Sequence, residues 1–237
     1  MPSPLISLHL PKTAGTSFLA ALQAHFSEHL YRDYGNGVTV DSAHARLRKA
    51  WQQALRIDEQ GLGHFRCVHG HFVPFKYWLL HSRQPLTFVT WLRDPVERVV
   101  SHYHFWMRSY EPGVSGAHHR RVVEENWSLE RFCLGDEFRN LYAQYLCGFP
   151  LTAFRFVGIT EHYAQDLVCF ASEILGAPLV AHRENVGQMG GDGRHDLDPT
   201  LRAAIAAHHR RDGELYAEAL RLRQLRLAGE ATRPEGA

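Results

Sequence analysis

The stretch Leu86-Thr-Phe-Val-Thr-Trp-Leu92, which runs without a break into Arg93-Asp94-Pro95-Val96-Glu97, constrains the fold more than any other part of this 237-residue chain. Its first seven residues are rich in β-branched and aromatic side chains and read as a strand. Asp94 then stands where a helix N-cap belongs, Pro95 at the first helical position, and Glu97 three residues after the cap, in capping-box spacing. A helix therefore starts there, carrying Val99, Val100, Tyr103 and Trp106. A strand that feeds directly into a capped helix is half of a βαβ unit.

The same alternation recurs along the chain. Residues 4–10 form a short apolar run bounded by prolines and read as a buried strand, and residues 16–26 follow with apolar side chains at helical spacing. A second helix is expected over residues 43–57 with Leu47, Trp51 and Leu55 on one face, ended by Gly61 and Gly63. Residues 65–72 read as another strand, 111–119 as a loop, 129–134 and 139–147 as short helices, and 154–159 as a fourth strand with a helix opened by Thr160. Residues 184–196 are rich in glycine and polar groups and read as a loop. Asp198-Pro199 repeats the cap-plus-proline signal and opens a long C-terminal helical region. This order predicts an α/β fold with a mainly parallel central sheet flanked by helices, one domain over residues 1–227, and a frayed tail over 228–237.

Bulk numbers narrow the function classes. With 45% hydrophobic residues and 22% charged ones, the chain can bury one sizeable core. A formal net charge of +1 is not the footprint of a nucleic-acid binder, so any anion must be held by local groups. No apolar run approaches the roughly 20 residues that span a bilayer. The four cysteines, Cys67, Cys133, Cys147 and Cys169, lack C-x-x-C spacing, and no signal-peptide pattern opens the chain, so a reduced, cytoplasmic setting is expected. Seventeen histidines dilute the meaning of any one of them.

Pro11-Lys12-Thr13-Ala14-Gly15-Thr16-Ser17 lies between the first strand and the first helix, where backbone N–H groups and the positive end of the helix dipole point outward. Lys12 adds a mobile charge, Gly15 permits close backbone approach, and Thr16 and Ser17 supply hydroxyls. The alternative is an ordinary βα turn with a solvated lysine and a capping threonine. A Walker A loop is excluded, because there the lysine follows the last glycine, whereas Lys12 precedes Gly15 by three, so a magnesium ligand on the loop is not implied.

Arg93 occupies the carboxyl end of the third strand and Ser101 lies about two turns into the next helix. Ligands of open α/β sheets sit outside the carboxyl ends of strands, which places Arg93 on the same crevice as Lys12. Its fork suits a terminal phosphate. The bland reading pairs Arg93 with a surface carboxylate and leaves Ser101 in water. A Walker B reading of Asp94 is discounted, since Asp94 is needed as the cap.

Together these segments resemble the PAPS-dependent carbohydrate sulfotransferases, where PAPS is 3′-phosphoadenosine 5′-phosphosulfate. Residues 11–17 look like their 5′-phosphosulfate loop, and Arg93-Asp94-Pro95 with Glu97, Arg98 and Ser101 looks like their 3′-phosphate motif, in the family's order. Val68-His69-Gly70-His71-Phe72 is similar to the His-Gly-His stretch of the heparan sulfate and uronosyl 2-O-sulfotransferases. By themselves the two histidines fit a zinc half-site or, the reading favoured for a lone pair, partly buried groups that hydrogen-bond backbone carbonyls. Weaker likeness extends to Asn140-Leu-Tyr-Ala-Gln144, to Phe156-Val-Gly-Ile-Thr160-Glu161 and to Glu214-Leu-Tyr216.

The resemblance implies a P-loop-NTPase-like sulfotransferase fold, PAPS as co-substrate and 3′,5′-ADP as product, with Pro11, Lys12, Thr13, Ala14, Gly15, Thr16, Ser17, Arg93 and Ser101 binding the nucleotide. It implies His69 and His71 in the catalytic site, one of them a base for the acceptor hydroxyl, with Lys12 neutralising the leaving phosphate. The two side chains are expected on one face of an extended strand. Sulfuryl transfer involves less charge than transfer from ATP, so no metal is required. A carbohydrate is the expected acceptor, and His118, His119, Arg120 and Arg121 are candidates for contacting an acidic saccharide, against the alternative of a solvated face. Animal members are typically membrane-anchored, and the lack of such an anchor here suggests a soluble, bacterial-type enzyme and puts a heparan-like polymer in doubt as the acceptor. Rival classes are a nucleotide kinase and a non-catalytic nucleotide- or glycan-binding module.

Overall fold

A computed structural model describes residues 3–34, 42–179 and 195–229. The loop expected at 184–196 and the tail expected at 228–237 fall mostly on residues outside the described ones. Five strands, β1 (Leu5–Leu8), β2 (Leu30–Asp33), β3 (Cys67–Gly70), β4 (Thr87–Leu92) and β5 (Phe156–Ile159), form one parallel sheet in the order β2-β3-β1-β4-β5. β1 is central, with Ser7 in register with His69 on one side and Val89 on the other. The α/β class and the parallel sheet are as the sequence predicts. β2 is an addition: it is a four-residue edge strand in which Tyr31 and Arg32 are exposed, so it offers no apolar run to read.

The described helices are α1 (Gly15–Phe26), α2 (Ala43–Gln60), α3 (Trp78–Arg83), α4 (Pro95–Ser109), α5 (Ala117–Glu124), α6 (Leu129–Cys133), α7 (Leu141–Leu146), α8 (Tyr163–Phe170), α9 (Pro199–His208) and α10 (Arg210–Leu227). Period-two alternation divides the sheet between two cores. Leu5, Cys67, Val89, Trp91 and Phe156 pack with Phe18 and Leu22 of α1 and Leu167 and Phe170 of α8. Ile6, Leu8, Val68, Phe88 and Leu92 pack on the opposite face with Leu80, Leu141, Tyr142 and Ala219 of α3, α7 and α10. A third cluster joins Val96, Val99 and Val100 of α4 to Val122, Phe132 and Ile205 of α5, α6 and α9. Each such side chain contributes ~1.5–3 kcal/mol when fully buried, so both sheet faces and the α4 layer are firmly held.

Two local expectations change. In α2 the face of Trp51 and Leu55 is outside, 44% and 56% exposed, while Ala50 and Ala54 are buried. The helix lies close against α3 and the 3-10 turn Pro74–Tyr77, and small residues allow that approach. Part of the loop expected at 111–119 is already the first turn of α5. Among the described residues no helix is long and apolar enough to cross a membrane. All four cysteines are free thiols.

Candidate functional site

A cleft of about 760 Å³ opens at the carboxyl ends of the strands. Its walls come from the segment after β1 (His9 to Ser17), the residue after Gly70 of β3 (His71), the segment after β4 (Arg93 to Trp106) and the segment after β5 (Thr160 to Gln165). β1 has β3 on one side and β4 on the other, so the cleft sits where the strand order reverses, the place where ligands bind in open α/β sheets.

The β1–α1 loop is bent by two residues in the left-handed region, Lys12 at φ 67° and Ala14 at φ 61°. Neither is glycine, so each costs about 1–2 kcal/mol. Thr13 is buried between them and its Oγ1 donates to the Leu10 carbonyl at 2.8 Å, which turns its hydroxyl inward to brace the loop instead of toward a ligand. Pro11, Lys12, Ala14, Gly15, Thr16 and Ser17 all line the cleft. Helix α1 then begins at Gly15 with no side-chain cap from Ala14. Its positive end opens on the cleft with no cap from the Ala14 side chain, the arrangement that receives anions.

Gly15 has a different reason from the one expected. A Cβ there would fall 1.7 Å from Nε2 of His9, so the missing side chain makes room for the His9 ring and not simply for a ligand.

Lys12 extends over the Phe105 ring, with Nζ 3.9 Å from its centroid. Burial, then the charges of Arg93 and Arg108, lower its pKa to about 8. Arg93 and Ser101 line the cleft with it, so the two cations expected to share a crevice do share one. The Arg93 backbone is held by Tyr142, whose Oη accepts from Arg93 N at 3.0 Å and donates to Arg93 O at 2.8 Å. Asp94 caps α4 as expected, its Oδ1 accepting from Val96 N at 2.9 Å and Glu97 N at 3.1 Å. Glu97 does not close a capping box. Its carboxylate is buried, forms an ion pair with Arg202 at 2.8 Å and accepts from His195, tying α4 to α9, while the N–H of Asp94 donates to Glu161 instead. Arg98 is fully buried and absent from the cleft wall; its guanidinium stands 5.7 Å from the Tyr142 ring.

The two histidines expected on one face both pack against His9 and Tyr34, but only His71 reaches the cleft wall. His69 is 1% exposed, lies on the α1 side of the sheet against Phe18, and its Nδ1 shares a hydrogen bond with Ser7 Oγ at 2.8 Å. Burial, helped by the neighbouring charges of His71 and Arg32, pushes its pKa down to about 3. β3 ends at Gly70, so His71 leaves the pleat and its ring lines the cleft. Between them stands His9, stacked on His69 at 5.1 Å and tilted against His71 at 4.4 Å. The main-chain oxygen of His9 can only accept, and it lies 2.5 Å from Nδ1 of His71. Nδ1 of neutral His71 therefore carries the hydrogen and Nε2 the basic lone pair. Burial lowers the His71 pKa, which keeps that lone pair unprotonated at neutral pH. This is the condition a general base has to meet.

The chain matches no protein-family model and no curated protein.

Residues missed by sequence reasoning complete the cleft: His9, His102, Phe105 and, with Trp106 beside them, the rim Thr160 to Gln165. His9 follows β1 just as His71 follows β3, and that position after a strand end was the available signal. His102 adjoins Ser101 and is held neutral, its pKa lowered by burial and then by Arg98, Lys12 and His71. The basic run of α5 lies off the cleft wall. His119 pairs its Nε2 with the Trp106 carbonyl at 2.8 Å, and Arg121 forms an ion pair with Glu137 at 2.6 Å.

Proposed function

We propose that this chain is a sulfotransferase that moves the sulfuryl group of PAPS to a hydroxyl of a carbohydrate or glycoconjugate and releases 3′,5′-ADP. The observation that carries the reading is the convergence of three groups on one cleft: the uncapped α1 N-terminus with Lys12, Arg93 with Ser101, and the neutral imidazole of His71. Two separate cationic positions suit a nucleotide with two separate phosphates. The cleft volume lies within the ~300–1,000 Å³ of small-molecule sites. The reading includes a P-loop-NTPase-like sulfotransferase fold, supported by a central strand that feeds the phosphate loop.

In this reading the backbone of residues 14–17 and Lys12 hold the 5′-phosphosulfate, and Arg93 with Ser101 holds the 3′-phosphate, which separates PAPS from ATP. The acceptor oxygen forms its bond to sulfur as the bond from sulfur to the bridging oxygen breaks. The acceptor proton passes to His71 Nε2, and the electron pair leaves with 3′,5′-ADP, whose new charge Lys12 offsets. His69 and His9 act behind His71, fixing its ring and keeping protons off it. The four free thiols suit the reduced, cytoplasmic setting assigned here.

The test is transfer of label from radioactive PAPS to a panel of saccharides and small hydroxyl compounds. Wild-type protein transfers label to at least one acceptor and His71→Ala does not. Phosphoryl transfer from ATP with magnesium, in the absence of sulfuryl transfer, would overturn the reading in favour of a kinase.

A further inference from the structure

We propose that Tyr142 is a positioning residue that sets the preference for a 3′-phosphate by clamping the Arg93 peptide. The proposal rests on the nucleotide reading above. Arg93 is the first residue beyond β4, and its peptide N–H and C=O both meet the side chain of Tyr142. One phenol satisfies both: Tyr142 Oη receives the N–H and donates its own hydrogen to the carbonyl. The residue is fully buried, and burial holds its pKa far above the ordinary phenol value, so the donor is never lost at working pH.

Tyr142 is itself anchored by α10, which packs against α7. Its backbone N–H and that of Ala143 donate to the two oxygens of Asp212 on α10, each at 3.1 Å. Asn140 Oδ1 in turn accepts from the N–H of Arg211 at 3.1 Å. A rigid line therefore runs from α10 through α7 to the one peptide from which the Arg93 side chain enters the cleft. A fork that must meet a phosphate bidentately loses its grip when its backbone can rotate, whereas the α1 loop, built on β1, is not touched by this line.

The test compares affinities for 3′,5′-ADP and 5′-AMP by calorimetric titration of the full chain. Both ligands use the α1 loop, and only the first needs Arg93. Tyr142→Phe is expected to lower the ratio of the two affinities about tenfold, the scale of one charge-assisted hydrogen bond, with 5′-AMP affinity little changed. In an Arg93→Ala background the same substitution is expected to leave the ratio unaltered. An unchanged ratio in Tyr142→Phe, or an equal loss for both ligands, overturns the clamp. If the phenylalanine variant does not fold, Asp212→Asn, which loosens the anchor while keeping the phenol, is read in the same way: a lowered ratio supports the clamp and an unchanged one overturns it. A wild-type ratio near one would remove the nucleotide reading itself, a separate failure visible before any variant is made.

Discussion

At one wall of the cleft α1 begins after Ala14 with nothing on its side chain to cap it, and at the facing wall α4 begins after Asp94, whose carboxylate takes two N–H groups of the first turn. The two junctions have the same grammar, a buried strand that ends in a cation-bearing turn and a helix. Their chemistry differs by one side chain. The α4 end is already neutralised from within and contributes only the Arg93 and Ser101 side chains, while the α1 end keeps its partial positive charge for a ligand. Left-handed backbone at Lys12 and Ala14 adds strain to the first junction, and none of the residues from Arg93 to Glu97 has a positive φ. One junction is therefore built for binding and the other for rigidity.

The largest effect is expected where the two walls meet. His71→Ala should lower turnover by ~10²–10⁴-fold, measured by label transfer, with 3′,5′-ADP affinity unchanged, because the base touches neither phosphate position. Equal loss of binding and turnover would mean that His71 belongs to one of the junctions.

Next in size, Lys12→Ala should weaken 3′,5′-ADP by ~10–100-fold while thermal stability stays level or rises, since the lysine is crowded by Arg93 and Arg108 in the unliganded protein. Asp94→Ala should do the reverse, costing about 0.5–2 kcal/mol in denaturant titration with nucleotide affinity intact. If both variants lost binding and stability alike, the division of labour between the junctions would be gone.

The pH dependence sharpens the same contrast. Lys12 loses its charge as pH rises through about 8, so 3′,5′-ADP affinity of the free protein should fall above that value, and Lys12→Ala should abolish this limb. On the acid side, the kcat/KM limb should lie at a lower pH than an exposed imidazole would give, because burial lowers the His71 pKa. Stability has an acid limb of its own. His69 is neutral in the folded chain down to about pH 3, while in the unfolded chain it takes a proton near 6.5, so its contribution is full above 6.5 and is lost as pH falls toward 3.

The starts of α4 and α9 were legible in the sequence because their signals are local. Asp94-Pro95 and Asp198-Pro199 announce their helices by cap chemistry, and each cap is made by the aspartate that was expected to make it. What was not legible depends on distant partners. Glu97 has capping-box spacing, yet its carboxylate is claimed by Arg202 and His195, about a hundred residues away, and that pairing holds its own pKa near 2. α2 turns Trp51 outward because packing favours Ala50 and Ala54, which carry a weaker hydrophobic signal. His69 and His71 both meet the His9 ring, but the strand stops at Gly70 and only His71 lines the cleft, a distinction that alternation does not carry. His9 had the right position, but seventeen histidines gave no means of choosing it before His71 and Gly15 were seen against its ring.

The most direct measurement is isothermal titration of wild type and Arg93→Ala with 3′,5′-ADP and with 5′-AMP. Two phosphates held by two unlike junctions predict that wild type prefers 3′,5′-ADP, and that Arg93→Ala loses about tenfold or more of that affinity while binding 5′-AMP as before. Unaltered 3′,5′-ADP affinity in Arg93→Ala would contradict the account.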